Sequence, residues 1–292
     1  MTTAGLPARL VRSREEGRRA RRDRLMRGLA MAAAFVGVVP LFAVLFFVTL
    51  NGLGALDIDL LTRPPRALGI GGGASSAILG SLQMVALAAV IAVPAGVLAG
   101  AYVSEFAGSR AAAAVRFAAD VMVGIPSILI GVFVFTMLVL PFRQFNAFAG
   151  SVALAIIMVP VILRTTEEVL RLVPRGLREA SLALGIPIWR TVLSVALRTA
   201  LPGILTGVML ALARAAGETA PLLFTALGSR LVNVGDFTRP MDALPIFIYT
   251  NARQPYPALN EQAWGAAFLL LLFVLVTNVA LRGRAMLRTL ST

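Results

Sequence analysis

The feature that most constrains this chain is a set of apolar runs too long for the core of a soluble domain. Residues 74–103 hold no Asp, Glu, Lys or Arg, and as a helix at about 1.5 Å per residue they would exceed the ~30 Å of hydrocarbon in a bilayer. Comparable runs cover about 28–50, 121–140, 149–163, 201–225 and 262–281. Lipid offers no partner to a free N–H or C=O, so only helices or closed barrels can span it. Runs of this length predict helices. The fold class is therefore all-α, a polytopic membrane protein with six transmembrane helices. Composition agrees: 58% of the 292 residues are hydrophobic and 14% charged, against roughly 25% charged in an ordinary soluble domain.

What is missing narrows the chemistry. The sequence has no Cys, no His and no Lys, so its 27 basic residues are all Arg. It cannot complete the phosphate-cradling G-x-x-x-x-G-K-[ST] loop. Neither a Ser-His-Asp triad, nor a Cys nucleophile, nor an ordinary zinc site is available. No catalytic residue and no metal ligand is expected. If ATP drives this protein, another chain hydrolyses it.

Residues 1–27 carry nine Arg and read as a disordered cytoplasmic tail drawn to anionic membrane lipid, at about 1 kcal/mol per basic residue. A nucleic-acid arm is the weaker reading, and no nucleic-acid partner is assigned. The transmembrane body runs over 28–285, and 286–292 is a short cytoplasmic end. Gly71, Gly72 and Gly73 read as a hinge before the second span, residues 104–120 as a cytoplasmic connection into the third, and the stretch with Asp236, Asp242, Pro245, Pro255 and Pro257 as a polar loop before the sixth. With the amino terminus inside, 20 Arg fall on the cytoplasmic side and six on the other. The excess of Arg predicts both termini in the cytoplasm of a multi-pass cell-membrane protein.

Two segments carry the functional expectations. Over 175–199, Glu179 opens a short helix that Gly185 can end, because Gly accepts the left-handed conformation at a helix terminus. Pro187 suits the start of a second helix. Leu182, Leu184, Ile188 and Trp189 give this helix–turn–helix an apolar centre, with Arg175, Arg178, Arg190 and Arg198 around it. That is the make-up of a protein contact, although a helix pair lying on lipid headgroups would look the same. In the fifth span, Arg214 and Glu218 stand one turn apart on a face otherwise made of Gly207, Ala211 and Pro221. An Arg at mid-span costs about 2.5–3.5 kcal/mol on insertion scales, so it needs a partner or a purpose. Glu218 can be the partner, and a guanidinium clamps a tetrahedral oxyanion bidentately. An ion pair that merely fixes packing is the other reading.

The segment Glu179-Ala180-Ser181, with Gly185 at its spacing, resembles the EAA loop of ABC importer permeases, though Ser181 replaces an Ala and Arg198 a Pro. Three further strings join it: 124–128 (GIPSI), 160–168 (PVILRTTEE) and 213–225 (ARAAGETAPLLFT). Together they resemble the PstA family, permease subunits of the phosphate ABC importer, over about 28–285. The resemblance implies a type I ABC importer (MetI-like) fold that imports inorganic phosphate by alternating access. It also implies a homologous PstC-like permease subunit, a PstB-like ATPase dimer that holds the ATP and Mg, and a PstS-like phosphate-binding protein. This chain itself would bind no cofactor. Glu179, Ala180 and Gly185 would couple to the ATPase, and Arg214, Glu218 and Arg164 would line the substrate path, with a plain cytoplasmic anchor as the other reading of Arg164. A permease for sulfate or molybdate, a membrane phosphatase working through Arg and Glu, and a sensor without flux are the alternatives.

Overall fold

The structure is a computed structural model that describes residues 8–66 and 72–289, with side chains from 17 to 66 and 72 to 279. Its elements are helices. In chain order they are α1 (Ala8–Gly54), α2 (Ile58–Thr62), α3 (Ser75–Glu105), α4 (Arg110–Gly124) and α5 (Ser127–Phe142). Then come α6 (Ala147–Arg171), α7 (Arg175–Ala183), α8 (Ile188–Ala216), α9 (Ala220–Thr225), α10 (Leu244–Asn251) and α11 (Pro257–Thr289). Among the described residues five helices are long and apolar enough to cross a membrane, and six spans result if α4 and α5 together make one. The chain is a multi-pass membrane protein.

Residues 8–27 are helical and continuous with the first span, where a disordered tail was expected. Arg and Leu are good helix formers, and extending a helix already nucleated is far cheaper than starting one. Residues 1–7 and 290–292 lie outside the described residues, as does Gly71 of the expected hinge. Gly72 and Gly73 are not loose. Gly72 bridges to Pro65 at φ +132°, and the Gly73 N–H donates to the Pro64 carbonyl at 3.3 Å.

Among residues 51–292, α3, α6 and α8 pack together around Met84, Ala88, Leu154, Met158, Ile162 and Ile204. Small residues set the spacing. A Cβ on Gly96 would lie 2.7 Å from Ile162, and one on Gly100 2.7 Å from Thr166, so the Gly96-x-x-x-Gly100 face lets α3 and α6 touch backbone to backbone. Gly207 of α8 likewise lies against Thr165 of α6. At one end of the bundle, Asn146 caps α6 by accepting from the Ala149 N–H at 2.7 Å and donates its own N–H to the Thr225 carbonyl at 3.0 Å.

Three spans differ from their expected form. The third is not one helix over 121–140: α4 and α5 meet at 104°. Pro126 has no N–H to give and holds Ile125 in extended backbone (φ −72°, ψ 129°), so the helix stops there. The fourth runs on to Arg171 and takes Thr166 and Glu167 inside it. The fifth ends at Ala216, with Gly217, Glu218 and Thr219 unwound before α9. In addition, the segment read as a polar loop before the last span contains α10, whose Leu244 and Phe247 are buried beside α11.

Candidate functional site

The loop from α6 to α8 forms the expected helix–turn–helix. α7 closes with the hydrogen bonds of a Schellman turn: the Gly185 N–H donates to Leu182 O at 2.9 Å and the Ile186 N–H to Ser181 O at 3.3 Å. Gly185 takes φ +77°, a value other residues adopt only under strain. Pro187 caps the start of α8. Ser181, the departure from the EAA pattern, is buried and shares a 2.8 Å hydrogen bond with the Thr191 hydroxyl, which braces the two helices. Glu179 and Ala180 are exposed, as are Leu182, Leu184, Ile188 and Trp189. Arg178 fastens the hairpin to the bundle: it donates to Leu170 O at the end of α6 and lies 3.0 Å from Glu105 at the end of α3. A push on the hairpin therefore reaches both long helices at their ends.

Beside this anchor lies a charge cluster that sequence reading had not joined up. Glu167 is 1% exposed. Its Oε1 accepts from Arg116 of α4 at 2.8 Å and from Arg171 at 2.5 Å, and its Oε2 from Arg164 at 3.2 Å. Arg164 also pairs with Asp120 of α4. Arg164, Glu167 and Arg171 sit at i, i+3 and i+7 of one helix face, a spacing readable from sequence. The approach of Arg116 and Asp120 comes only from the fold. Arg164, expected to line the path or to anchor the span, is thus held by two acids and offers no free guanidinium in this arrangement.

Arg214 lies in the last turn of α8, where a cation is favoured by the helix dipole. Its Nε reaches Glu218 Oε1 at 3.5 Å, a contact expected from an unbroken helix but made here across the unwound Gly217. Glu218 is the only ion-pair partner of Arg214 among the described residues. The side chain of Arg214 is 44% exposed and that of Glu218 17%. The charges are therefore not sealed inside this chain. They share an open stripe with Leu210, which is exposed on the same face of α8. The small residues of the expected face divide their work: Gly207 and Ala211 are buried, with Gly207 against α6, while Pro221 packs on Gly131 of α5. Arg214 stands seven residues beyond the Gly207–Thr165 contact, about 10 Å along the helix axis. Arg214 and Arg164 are therefore separate positions, and the fold does not bring them together.

Comparison with known proteins agrees with this architecture. Residues 92–283 match the family described as "Binding-protein-dependent transport system inner membrane component". The "Phosphate transport system permease protein PstA" of Pasteurella multocida is 42% identical over 262 residues, covering 89% of this chain and 93% of its own length. The protein of that name from Yersinia pestis is 39% identical over 275 residues, 93% of this chain and 92% of its own. "Phosphate transport system permease protein PstA 1" of Mycobacterium tuberculosis is 41% identical over 223 residues, 76% and 71% respectively. Among solved structures, a chain of the inward-facing MetNI methionine ABC transporter superposes with TM-score 0.57 at 23% identity, covering 72% of this chain and 92% of that one. That likeness is one of fold. The chain belongs to the binding-protein-dependent transport system inner membrane components and, within them, to the PstA family of phosphate transport system permease proteins.

Proposed function

We propose that this chain is one of two permease subunits of an ATP-driven importer that carries inorganic phosphate across a bacterial inner membrane, with both termini in the cytoplasm. The observation that carries the reading is Arg214: a guanidinium in the last turn of the fifth span, with Glu218 as its ion-pair partner, on a face that this chain leaves open. An Arg facing lipid there is costly, so a second, homologous permease subunit covers the face and the anion passes between the two. Relatives named for phosphate transport at about 40% identity supply the substrate. Glu218 orients Arg214 and offsets part of its charge, so that the anion is held and then released.

The 175–199 hairpin is the point of coupling. Its exposed apolar residues and Glu179 dock on a separate ATPase dimer, which holds ATP and Mg, while a phosphate-binding protein delivers substrate from the other side. Closure of the ATPase pair moves the hairpin, and through Arg178 it moves α3 and α6. Arg164 becomes available to the anion when Asp120 releases it, which makes it a station at the inner gate. The test is uptake of labelled phosphate by the reconstituted complex with unlabelled phosphate, sulfate or molybdate as competitor. Phosphate alone should compete at equal concentration. Equal competition by sulfate or molybdate would replace phosphate with a broader oxyanion substrate.

A further inference from the structure

We propose that a cavity between the 65–66 turn, the 227–230 corner, α10 and the start of α11 is a second anion site, on the outer face of the permease, which takes a protonated phosphate group. The cavity is about 230 Å³, several times the roughly 30 Å³ share of one water. It therefore accommodates a tetrahedral oxyanion with some of its hydration.

Three side chains give it a chemistry. Arg66 and Arg230 are exposed at its rim, and neither has an ion-pair partner among the described residues. Asp242, at its buried wall, is 7% exposed, and its carboxyl accepts one hydrogen bond, from the Ala243 N–H at 2.9 Å. The wall is rigidly built. Gly80 of α3 lies against the Asp242 backbone so closely that a Cβ would come within 2.0 Å of its carbonyl oxygen, and Ser81 accepts from the Leu244 N–H at 2.7 Å. Opposite, Leu227 takes φ +60° and Gly228 φ +81°. A left-handed Leu costs backbone energy, and such strain gathers at binding sites. A Cβ on Gly228 would sit 3.3 Å from Asp242 Oδ1, so the glycine keeps the carboxyl uncovered.

The ligand class follows from the mixture of charges. Two guanidiniums call for an oxyanion, but a carboxyl beside an oxyanion is tolerated only if the two share a proton. Burial pushes Asp242 up to about 7, so above that pH it is ionised and accepts a proton from a P–OH, whereas below it the neutral carboxyl donates to any oxyanion. α10 and α11 line the cavity with neutral groups such as Thr250 and Gln262, so Arg66 and Arg230 are the only other charged residues lining it among the described residues. Orthophosphate keeps a P–OH throughout this range, a phosphomonoester only in its singly charged fraction (second pKa about 6), and sulfate has none. The shared chemistry is a protonated phosphate, arriving as free phosphate or on a lipid headgroup. The place of this site in the transport cycle, as a stage before Arg214, rests on the importer reading, whereas the binding itself does not.

The test uses the full chain carrying Arg214→Gln, in phosphatidylcholine nanodiscs at pH 8, where Asp242 is ionised, with labelled orthophosphate as probe. The expected result is one equivalent bound, weakened at least tenfold by Arg66→Gln or Arg230→Gln and not displaced by equal sulfate. Asp242→Asn should let sulfate compete, because an amide donates to an unprotonated oxygen, and a purely structural Asp242 would not change selectivity. Displacement by phosphatidic acid but not phosphatidylglycerol would assign the site to a monoester headgroup, and displacement by neither to free phosphate. No binding, binding indifferent to both Arg substitutions, or equal displacement by sulfate would overturn the proposal. So would Arg variants that bind phosphate normally but lose the phosphate-binding protein, since the cavity would then serve a partner's acid. If the complex imports sulfate while this cavity still binds orthophosphate, the importer reading fails and the site stands.

Discussion

Replacing Glu167 by Ala should be among the most damaging single changes at the cytoplasmic end of the bundle. Glu167 is buried and holds Arg116, Arg164 and Arg171 on its two oxygens. Breaking a buried pair by removing one partner costs about 3–5 kcal/mol. The sum belongs at the lower end, because Arg171 is more than half exposed and behaves as a surface pair, while Arg164 keeps Asp120. The main loss is Arg116, 24% exposed and left with its 3.5 Å donation to the Val103 carbonyl. A cost near ~3 kcal/mol corresponds to a fall in melting temperature of about 6–12 °C at roughly 2–4 °C per kcal/mol. Glu167→Gln keeps an acceptor and should lose about half as much. The control is Glu168→Ala, one residue away and exposed, which should stay within about 0.5 kcal/mol. Thermal aggregation of the assembled complex, followed by size-exclusion chromatography, reads all three. Equal falls for Glu167→Ala and Glu168→Ala, or a fall under about 2 °C for the former, would refute the hub.

Gly185→Val forces a branched residue to φ +77°, at about 1–2 kcal/mol, yet nothing lies within 4 Å of the new Cβ. Melting should therefore fall by about 2–8 °C from backbone strain alone, while more ATP is hydrolysed per phosphate moved, read by measuring both rates on the same vesicles. Gly207→Leu drives a side chain into Thr165, whose Cβ would lie 2.5 Å from the new Cβ, and should destabilise the complex by about 1–3 kcal/mol or more; Thr165→Ala should recover part of that in the same melting assay. Asp242 gives a pH signature. The unfolded chain releases this proton near 3.8 and the folded chain holds it to about 7, so this carboxyl's contribution to stability is full below about 3.8 and is lost as pH rises to 7. At ~1.4 kcal/mol per pH unit the loss approaches about 4 kcal/mol, and Asp242→Asn should flatten that part of the melting-versus-pH curve.

The spans were legible because a run such as 74–103 leaves lipid-compatible backbone one choice, a helix. The hairpin was legible because Gly185 and Pro187 impose a stop and a start two residues apart. What could not be read depended on contacts. Pro126 announces a break, but not that α4 would turn through 104° from α5 and bring Arg116 and Asp120 onto α6. Pro245 suggested a loop, whereas buried Leu244 and Phe247 make α10 a packed helix. The fifth span breaks at Gly217, a poor helix former whose carbonyl can take no hydrogen bond from Pro221, and an apolar count over 201–225 smooths over that. Arg214 was readable as a costly charge. That it stands on an open face, with Glu218 across a break, is a matter of which helices cover which.

The most direct test of the account is ATP-dependent uptake of labelled phosphate by the reconstituted complex, wild type against Arg214→Gln, with assembly and ATP hydrolysis measured on the same sample. The account predicts that Arg214→Gln assembles, still hydrolyses ATP and loses at least tenfold in uptake, because the exposed guanidinium is part of the anion's path. Uptake at the wild-type rate would make the Arg214–Glu218 pair a packing contact and contradict the central claim.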